Sequence, residues 1–165
     1  MTGVQTCALP IYAFPPEDLR AGCLVVDGRQ MRQTISRDLG FTAADRSENL
    51  RRAADVARML NDAGLIAICA LLAPDAAVRA RARAAVGADR FLLIHVATPL
   101  AVCRARDTQG VYARADAGEL GDFPGVSAPY DAPADADLVI DAATQSVEAS
   151  VDAVMALIAA NGGAR

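Results

Sequence analysis

"LVVDGRQMRQTISRDLGF", residues 24–41, passes from an apolar run through an Asp-Gly corner into a basic segment. The run CLVVD, residues 23–27, is typical of a short buried strand. The residues of interest beyond the corner are Arg29, Arg32, Arg37 and Phe41. Guanidinium groups match the oxygens of anions such as phosphate and sulfate, and a Phe ring stacks on other flat rings. The segment therefore predicts one wall of a pocket for an anion attached to a planar ring.

Strand and helix patterns alternate along the following part of the chain. We expect a helix from Thr42 to Gly64 and a central strand from Leu65, with Pro74-Asp75 opening a second helix through about Val86. The first of these helices has one apolar stripe, formed by Leu50, Ala53, Ala54, Ala57 and Leu60. Both helices are expected to pack on the strands beside them.

The C-terminal part repeats this alternation after a long irregular stretch. RFLLIHVATP predicts a buried strand, a short helix is expected from Leu100 to Arg106, and ADLVIDA predicts the last strand. Glycines and prolines punctuate residues 107–133, which predicts a functional loop. A final helix should begin after Ser146 and end at Gly162. Its inward face is predicted to contain Val147, Val151, Val154, Met155 and Ile158.

This alternation predicts the α/β class, with a parallel sheet covered by helices on both faces. Ligands of such sheets bind beyond the carboxyl ends of the strands. Asp27-Gly28, Ala73-Pro74 and Thr98-Pro99 each follow a predicted strand, so the basic segment lies at the edge where a ligand is expected.

Composition limits the classes of function. The chain has 165 residues, 53% of them hydrophobic, which suffices for one domain with a full core. A net charge of −4 gives no general attraction to nucleic acid or to an acidic membrane surface, so an anion site must come from local arginines. The four cysteines lack CxxC spacing, and we expect reduced thiols in a cytoplasmic, soluble protein without a membrane partner.

Two segments carry a specific resemblance. DGRQMRQTISRDLGFTAADRSENLRRAADVARMLNDAGLIAICALLAP and RDTQGVYARADAGELGDFPGVSAPYDAP resemble the adenylylsulfate kinase family over roughly residues 23–160. RDLGF followed by DRxEN at matching spacing carries most of this likeness. The resemblance implies a P-loop kinase fold that transfers the γ-phosphate of ATP, with Mg²⁺, to the 3′-hydroxyl of adenylylsulfate in sulfate assimilation.

The resemblance also implies roles for individual residues. Substrate binding is expected from Arg32, Arg37, Phe41, Arg46, Asn49, Leu72 and Phe123. Phe41 and Phe123 would enclose the substrate adenine, and the loop over about residues 107–133 would be a lid that excludes water. Arg106 is implied as a cofactor contact. The resemblance further implies two possible associations: a homodimer, and a fusion or complex with sulfate adenylyltransferase.

Several of these residues have a plainer interpretation. Asp27 fits a catalytic base or a metal contact by position, and a structural cap of the corner equally well. Phe41 could be a staple over the helix start. Arg51 and Arg52 fit the solvated face of an amphipathic helix better than a ligand contact. His95, inside a buried strand, fits a core histidine.

The chain also departs from the family's motifs. No GxxxxGK[ST] motif occurs, so the loop that would hold the ATP phosphates is absent from the sequence. Inside well-matched sequence the departures are Arg29, Gln30, Ala73, Ala97, Gln109 and Asp116. Because Arg29 replaces an acid near the metal and the reacting hydroxyl, ATP and Mg²⁺ binding by this chain is doubtful.

These observations lead to a domain division and two functional hypotheses. We expect residues 1–12 to be a non-native artefact or a disordered segment, and residues 13–165 to be a kinase-like domain of a P-loop fold without its first βα unit. In the first hypothesis the chain is an adenylylsulfate kinase that is inactive as given. In the second it is a degenerate domain that binds adenylylsulfate or supports a sulfate adenylyltransferase assembly.

Overall fold

The computed structural model describes residues 7–11 and 22–162 of the chain. It contains five strands in the order β2-β3-β1-β4-β5. The strands are β1 (Cys7–Ile11), β2 (Cys23–Asp27), β3 (Ile66–Ala70), β4 (Ile94–Val96) and β5 (Leu138–Ile140). The helices are α1 (Gly28–Gln33), α2 (Ala43–Asp62), α3 (Ala76–Val86), α4 (Leu100–Ala105), α5 (Val111–Asp116) and α6 (Val147–Gly162), with a 3-10 turn at Ala88–Arg90. The predicted α/β class is confirmed.

The pairs β2–β3 and β4–β5 are parallel, as the alternation predicted. The central strand β1 differs, because it pairs antiparallel with both β3 and β4. Ile11 lies opposite Ala67, so β1 ends at the edge of the sheet where β3 begins. No pattern in the sequence predicted this strand, and the proposed non-native origin of residues 1–12 stays a prediction.

Helices cover both faces of the sheet, and the alternation of side chains along β3 shows which helices cover each face. Ala67 and Cys69 belong to the main core, which contains residues of α2 and α3. Ile66 and Ile68 point the other way and join a smaller cluster with Ile158 of α6. Burial in the main core raises the pKa of the Cys69 thiol to about 12, so this cysteine stays protonated and unreactive at neutral pH.

Helix α2 begins and packs as its sequence predicts. Thr42 and Asp45 form a reciprocal capping box, and the stripe from Leu50 to Ala57 is buried in the main core. Helix α3 is capped by Asp75, whose Oδ1 accepts from the backbone N–H of Val78 at 2.9 Å. The starts of both helices are therefore fixed by side chains at the same edge of the molecule as the end of β2.

Two predictions of burial are wrong. Strand β2 is not buried throughout, because it is an edge strand and Leu24 and Val25 are exposed. Helix α6 does not bury all five predicted residues: Ile158 is buried and Val154 half-buried, but Val147, Val151 and Met155 are exposed. Helical periodicity identified an apolar face, but only part of that face meets the sheet.

The stretch predicted to be an irregular loop contains a short helix, which its many glycines gave no reason to expect. Helix α5 occupies Val111–Asp116, and Gly110 precedes it in the left-handed conformation at φ 66°. Asp107 stabilises the turn, since its carboxylate accepts from the backbone N–H groups of Gln109 and Tyr112. Residues 107–133 therefore comprise a short helix followed by an irregular arm.

Candidate functional site

A cleft of about 360 Å³ opens between the N-terminal parts of α2 and α3 and the arm after α5. Its lining residues include Arg46, Ser47, Leu72, Pro74, Arg81 and Asp131. The volume lies within the range of small-molecule sites, and the walls combine apolar and charged side chains as such sites do. The cleft lies beyond the carboxyl end of β3, which is the edge where the alternating pattern predicted a ligand.

The arm is attached to the body of the protein at three points. Arg46 of α2 donates through Nη1 to the carbonyl oxygen of Asp122. The backbone N–H of Asp131 donates to the Pro74 carbonyl at 2.8 Å, and its carboxylate accepts from the N–H of Ala76 at 3.4 Å. Residues 122–131 thus form a roof over the cleft. Asp131 was not predicted from the sequence, although an acid between two nearby prolines is a common turn signal.

Arg32 and Arg46 both contact the chain near the start of α2. Arg32 donates through Nε to the Gly40 carbonyl at 3.0 Å, and its guanidinium lies 4.6 Å from the centre of the Phe41 ring. Burial lowers the pKa of Arg32, and the Asp45 carboxylate opposes this shift. Burial also lowers the pKa of Arg46, the Asp122 carboxylate opposes this shift, and the charge of Arg32 lowers it further. Two partly buried cations near the start of α2 favour the binding of an anion in this region.

Phe41 and Phe123 contribute aromatic surface in this region. Phe41 is 66% exposed, with one face covered by Arg32, so its other face is open to a flat ligand. Phe123 is half-buried and packs edge-on against Tyr112, with 5.5 Å between ring centres. The contact of Arg46 with Asp122 places Phe123 next to the start of α2, the helix that Phe41 precedes. Whether both rings enclose a base stays a prediction.

Other predicted site residues lie around this centre in different environments. Leu72 lines the cleft, and Arg37 is exposed on the segment between α1 and α2. Asn49 is 2% exposed, and its Oδ1 has no hydrogen-bond partner in the described part of the chain. Arg106 is exposed and donates to the Ala142 carbonyl at 2.8 Å, which ties the end of α4 to the loop after β5.

Asp27 serves as a helix cap. Its Oδ1 accepts from the backbone N–H groups of Arg29 and Gln30, at 2.8 and 3.0 Å, and so begins α1. Asp27 therefore acts as the expected cap of the corner, and its catalytic role stays a prediction. Helix α1 itself was missed, although an Asp before a short amphipathic run is a common N-terminal signal.

The two neighbouring arginines of α2 differ. Arg51 lies on the solvated face, as predicted, and pairs with Glu48 and Asp55. Arg52 is less exposed, with 24% of its side chain accessible, and it donates to Asp38 and to the Ile35 carbonyl. The difference arises because the segment between α1 and α2 folds back over one side of the helix.

Known proteins similar to this chain identify first its fold class and then its family. A family model described as adenylylsulphate kinase matches residues 11–141. The structure of Mycobacterium tuberculosis APS kinase CysC in complex with AMPPNP and APS superposes with a TM-score of 0.77 at 38% identity, covering 84% of this chain and 80% of that one. The fold is therefore that of the P-loop kinases.

Proteins related in sequence support the same family. A bifunctional enzyme CysN/CysC of Rhodopirellula baltica is 56% identical over 138 residues, which is 84% of this chain and 21% of that protein. An adenylyl-sulfate kinase of Shewanella denitrificans is 43% identical over 82% of this chain and 66% of its own length. This chain thus spans a fifth of the first relative and just under two thirds of the second. It belongs to the adenylylsulfate kinase family.

Proposed function

We propose that this chain binds adenylylsulfate in the cleft beneath the 122–131 roof, as the acceptor-binding part of an adenylylsulfate kinase of sulfate assimilation. The observation that carries the proposal is that Arg46 lines the cleft while, just before α2, the Arg32 guanidinium covers one face of the exposed Phe41 ring. One ligand with two anionic groups and a purine ring would satisfy both features. The family relationship supports adenylylsulfate as that ligand.

The hydrogen bonds of the two arginines support an anion site. Arg32 donates to the carbonyls of Gly28 and Gly40, and Arg46 to that of Asp122. Backbone carbonyls orient a guanidinium without neutralising its charge, so these hydrogen bonds leave both arginines able to bind phosphate or sulfate oxygens. The Asp45 and Asp122 carboxylates lie near enough to offset part of the two charges. The apolar wall at Leu72 and Pro74 offers the surface that an adenine ring requires.

The ATP and Mg²⁺ that the family implies fit these residues poorly. The sequence has no GxxxxGK[ST] motif. Strand β1 ends opposite Ala67, at the start of β3, and therefore away from the carboxyl end of β3 where the cleft lies. In the described ranges no cluster of three or more His, Cys, Asp or Glu side chains could hold a metal ion, and Asp27 is engaged as a cap. We therefore derive no phosphoryl-transfer step and expect the chain as given to be inactive.

A second candidate function is a binding domain within a sulfate-activating assembly that transfers no phosphate. The missing GxxxxGK[ST] motif favours the absence of phosphate transfer. The match of 138 residues to the bifunctional CysN/CysC relative favours a place in a larger assembly. The two candidates share the adenylylsulfate cleft and differ in whether ATP is used.

Calorimetric titration of the 165-residue chain with adenylylsulfate, AMP and ATP tests the proposal. We expect adenylylsulfate to bind more tightly than AMP, and Arg46→Met to weaken binding roughly 10-fold or more, as losing a charge-assisted hydrogen bond does. The control is Arg58→Met, an exposed arginine further along α2. Equal affinities of Arg46→Met and Arg58→Met, or no adenylylsulfate binding at all, would overturn the proposed site.

A coupled assay separates the two candidates. With ATP and Mg²⁺ present, we expect no 3′-phosphorylated product from the chain as given. Product formation would refute the inactivity prediction and restore the first candidate in full. Adenylylsulfate binding without detectable ATP binding would favour the second.

A further inference from the structure

The segment between α1 and α2, residues 34–42, lies against one side of α2 and is fastened there by Arg52. The Arg52 guanidinium donates to both carboxylate oxygens of Asp38, at 2.6 and 2.8 Å, and to the Ile35 carbonyl at 2.9 Å. Its Nε donates to Glu48 at 2.9 Å. The hydrogen bonds of Arg52 thus engage Nε, Nη1 and Nη2.

This geometry is more demanding than an ordinary surface ion pair. A bidentate Arg–carboxylate pair fixes both groups in one plane, and a backbone carbonyl as a third acceptor fixes the main chain as well. Glu48 orients the guanidinium from the helix side. Hydrogen bonds from Arg51 and Arg52 lower the pKa of Glu48 to about 2, and the bond from Arg52 lowers the pKa of Asp38. Both carboxylates therefore stay charged at neutral pH.

The segment fastened in this way carries two of the proposed ligand-binding groups. Arg37 is adjacent to Asp38, and Phe41 follows three residues later. The other end of the segment is held by Arg32, which donates to Gly40 and covers one face of the Phe41 ring. Arg37 and Phe41 are thus presented by a stretch of chain that Arg52 fixes at one end and Arg32 at the other.

We propose that Arg52 is a positioning residue for the ligand site: acting through Asp38, it holds the segment that presents Arg37 and Phe41 to adenylylsulfate. The inference rests on the proposed function above, because the ligand is the one named there. The nitrogens of Arg52 are committed to Asp38, Glu48 and Ile35, so its effect on the ligand would pass through the segment.

Arg51 provides a matched control. It lies on the same helix, next to Arg52, and pairs with the same Glu48, but its second partner is Asp55 of α2 rather than the segment. Arg51→Met removes a charge and an ion pair of similar type without releasing residues 34–42. If Arg52→Met weakens ligand binding more than Arg51→Met does, the difference therefore measures the effect of releasing residues 34–42.

The test compares the full chain with Arg52→Met, Arg51→Met and Asp38→Asn. We expect Arg52→Met and Asp38→Asn to weaken adenylylsulfate binding about 10-fold in calorimetry, and Arg51→Met to leave it within about twofold. In hydrogen exchange without ligand, amides of residues 34–42 should exchange faster in Arg52→Met than in Arg51→Met. Asp38→Asn serves as the independent variant if Arg52→Met folds poorly.

A double-mutant cycle distinguishes positioning from general stability. If Arg52 positions Arg37, the double variant should lose less affinity for adenylylsulfate than the product of the two single fold-changes of Arg52→Met and Arg37→Ala. The reason is that the second change removes a contact that the first has already weakened. A multiplicative result, with unchanged exchange in residues 34–42, would overturn the inference. Wild-type chain that binds no adenylylsulfate would overturn the proposed function as well, whereas normal binding by Arg52→Met and Asp38→Asn would overturn only the positioning role.

Discussion

At the residue scale, the arrangement around Phe41 shows how an exposed aromatic ring can be retained for binding. Large apolar side chains are usually withdrawn from water, yet this ring is 66% exposed. The Arg32 guanidinium covers one face and is itself held by the carbonyls of Gly28 and Gly40. A ring supported from one side loses little freedom when a base stacks on the other.

Replacing Phe41 tests this arrangement. Phe41→Ala should weaken adenylylsulfate binding by about 1–3 kcal/mol, the range measured for base–aromatic stacking in single-strand binders. The free energy of unfolding should change little, because the side chain is mostly exposed. Titration calorimetry and urea denaturation measure the two effects.

Met59→Ala is the control for Phe41→Ala. Met59 is 68% exposed on α2 and is distant in sequence from the start of the helix. It should leave both affinity and stability nearly unchanged. A similar affinity for both variants would mean that Phe41 does not contact the ligand.

At the element scale, Asp116 forms an ion pair that attaches α5 to α4. Asp116, one of the departures from the family's motifs, ends α5 and pairs with Arg104 of α4 at 2.8 Å. The same short helix is linked to the following turn by the pair of Arg114 with Glu119. The substitution therefore creates an attachment of α5 to α4 in this chain.

The Arg104–Asp116 pair gives a charge-reversal prediction. Asp116→Arg should bring two positive charges together and speed hydrogen exchange in residues 107–119. Arg104→Asp combined with Asp116→Arg should return the exchange toward the wild-type rate. Global stability should change by no more than about 1 kcal/mol, since both side chains are exposed. Exchange that is the same in all three proteins would show that the pair does not hold α5.

At the scale of the whole molecule, His95 connects the sheet to the arm after α5. It is 9% exposed on β4, and its ring stacks on Tyr130 with 6.1 Å between ring centres. Burial and the nearby charge of Arg79 lower the pKa of His95 from 6.5. Arg79 is itself buried and donates to the Ala73 carbonyl at 2.8 Å. The expected core role of His95 therefore agrees with its environment.

This histidine should make global stability depend on pH. Below pH 6.5 the unfolded chain binds a proton at His95 that the folded chain binds less readily, so stability should fall as the pH falls. Urea denaturation between pH 5 and 8 measures the slope (about the range in which histidine titrates). His95→Phe keeps a ring against Tyr130 and should reduce this slope. An unchanged slope would show that His95 does not govern it.

Local patterns predicted much of the fold. The capping box at Thr42 and the buried stripe of α2 follow from hydrogen bonding and burial within a few turns of chain. The alternation of strands and helices predicted the parallel pairs β2–β3 and β4–β5. The RDLGF and DRxEN motifs indicated the family because their residue types and spacing are specific.

Other features depend on which segments meet in space. Sequence alone could not tell that β2 is an edge strand, that α6 leaves Val147 and Val151 exposed, or that β1 runs antiparallel in the centre of the sheet. Arg51 and Arg52 look alike in sequence, but only Arg52 meets the Asp38 carboxylate. Short-range periodicity determines which face of an element is apolar or charged, whereas long-range packing decides what that face contacts, and so which side chains support the site.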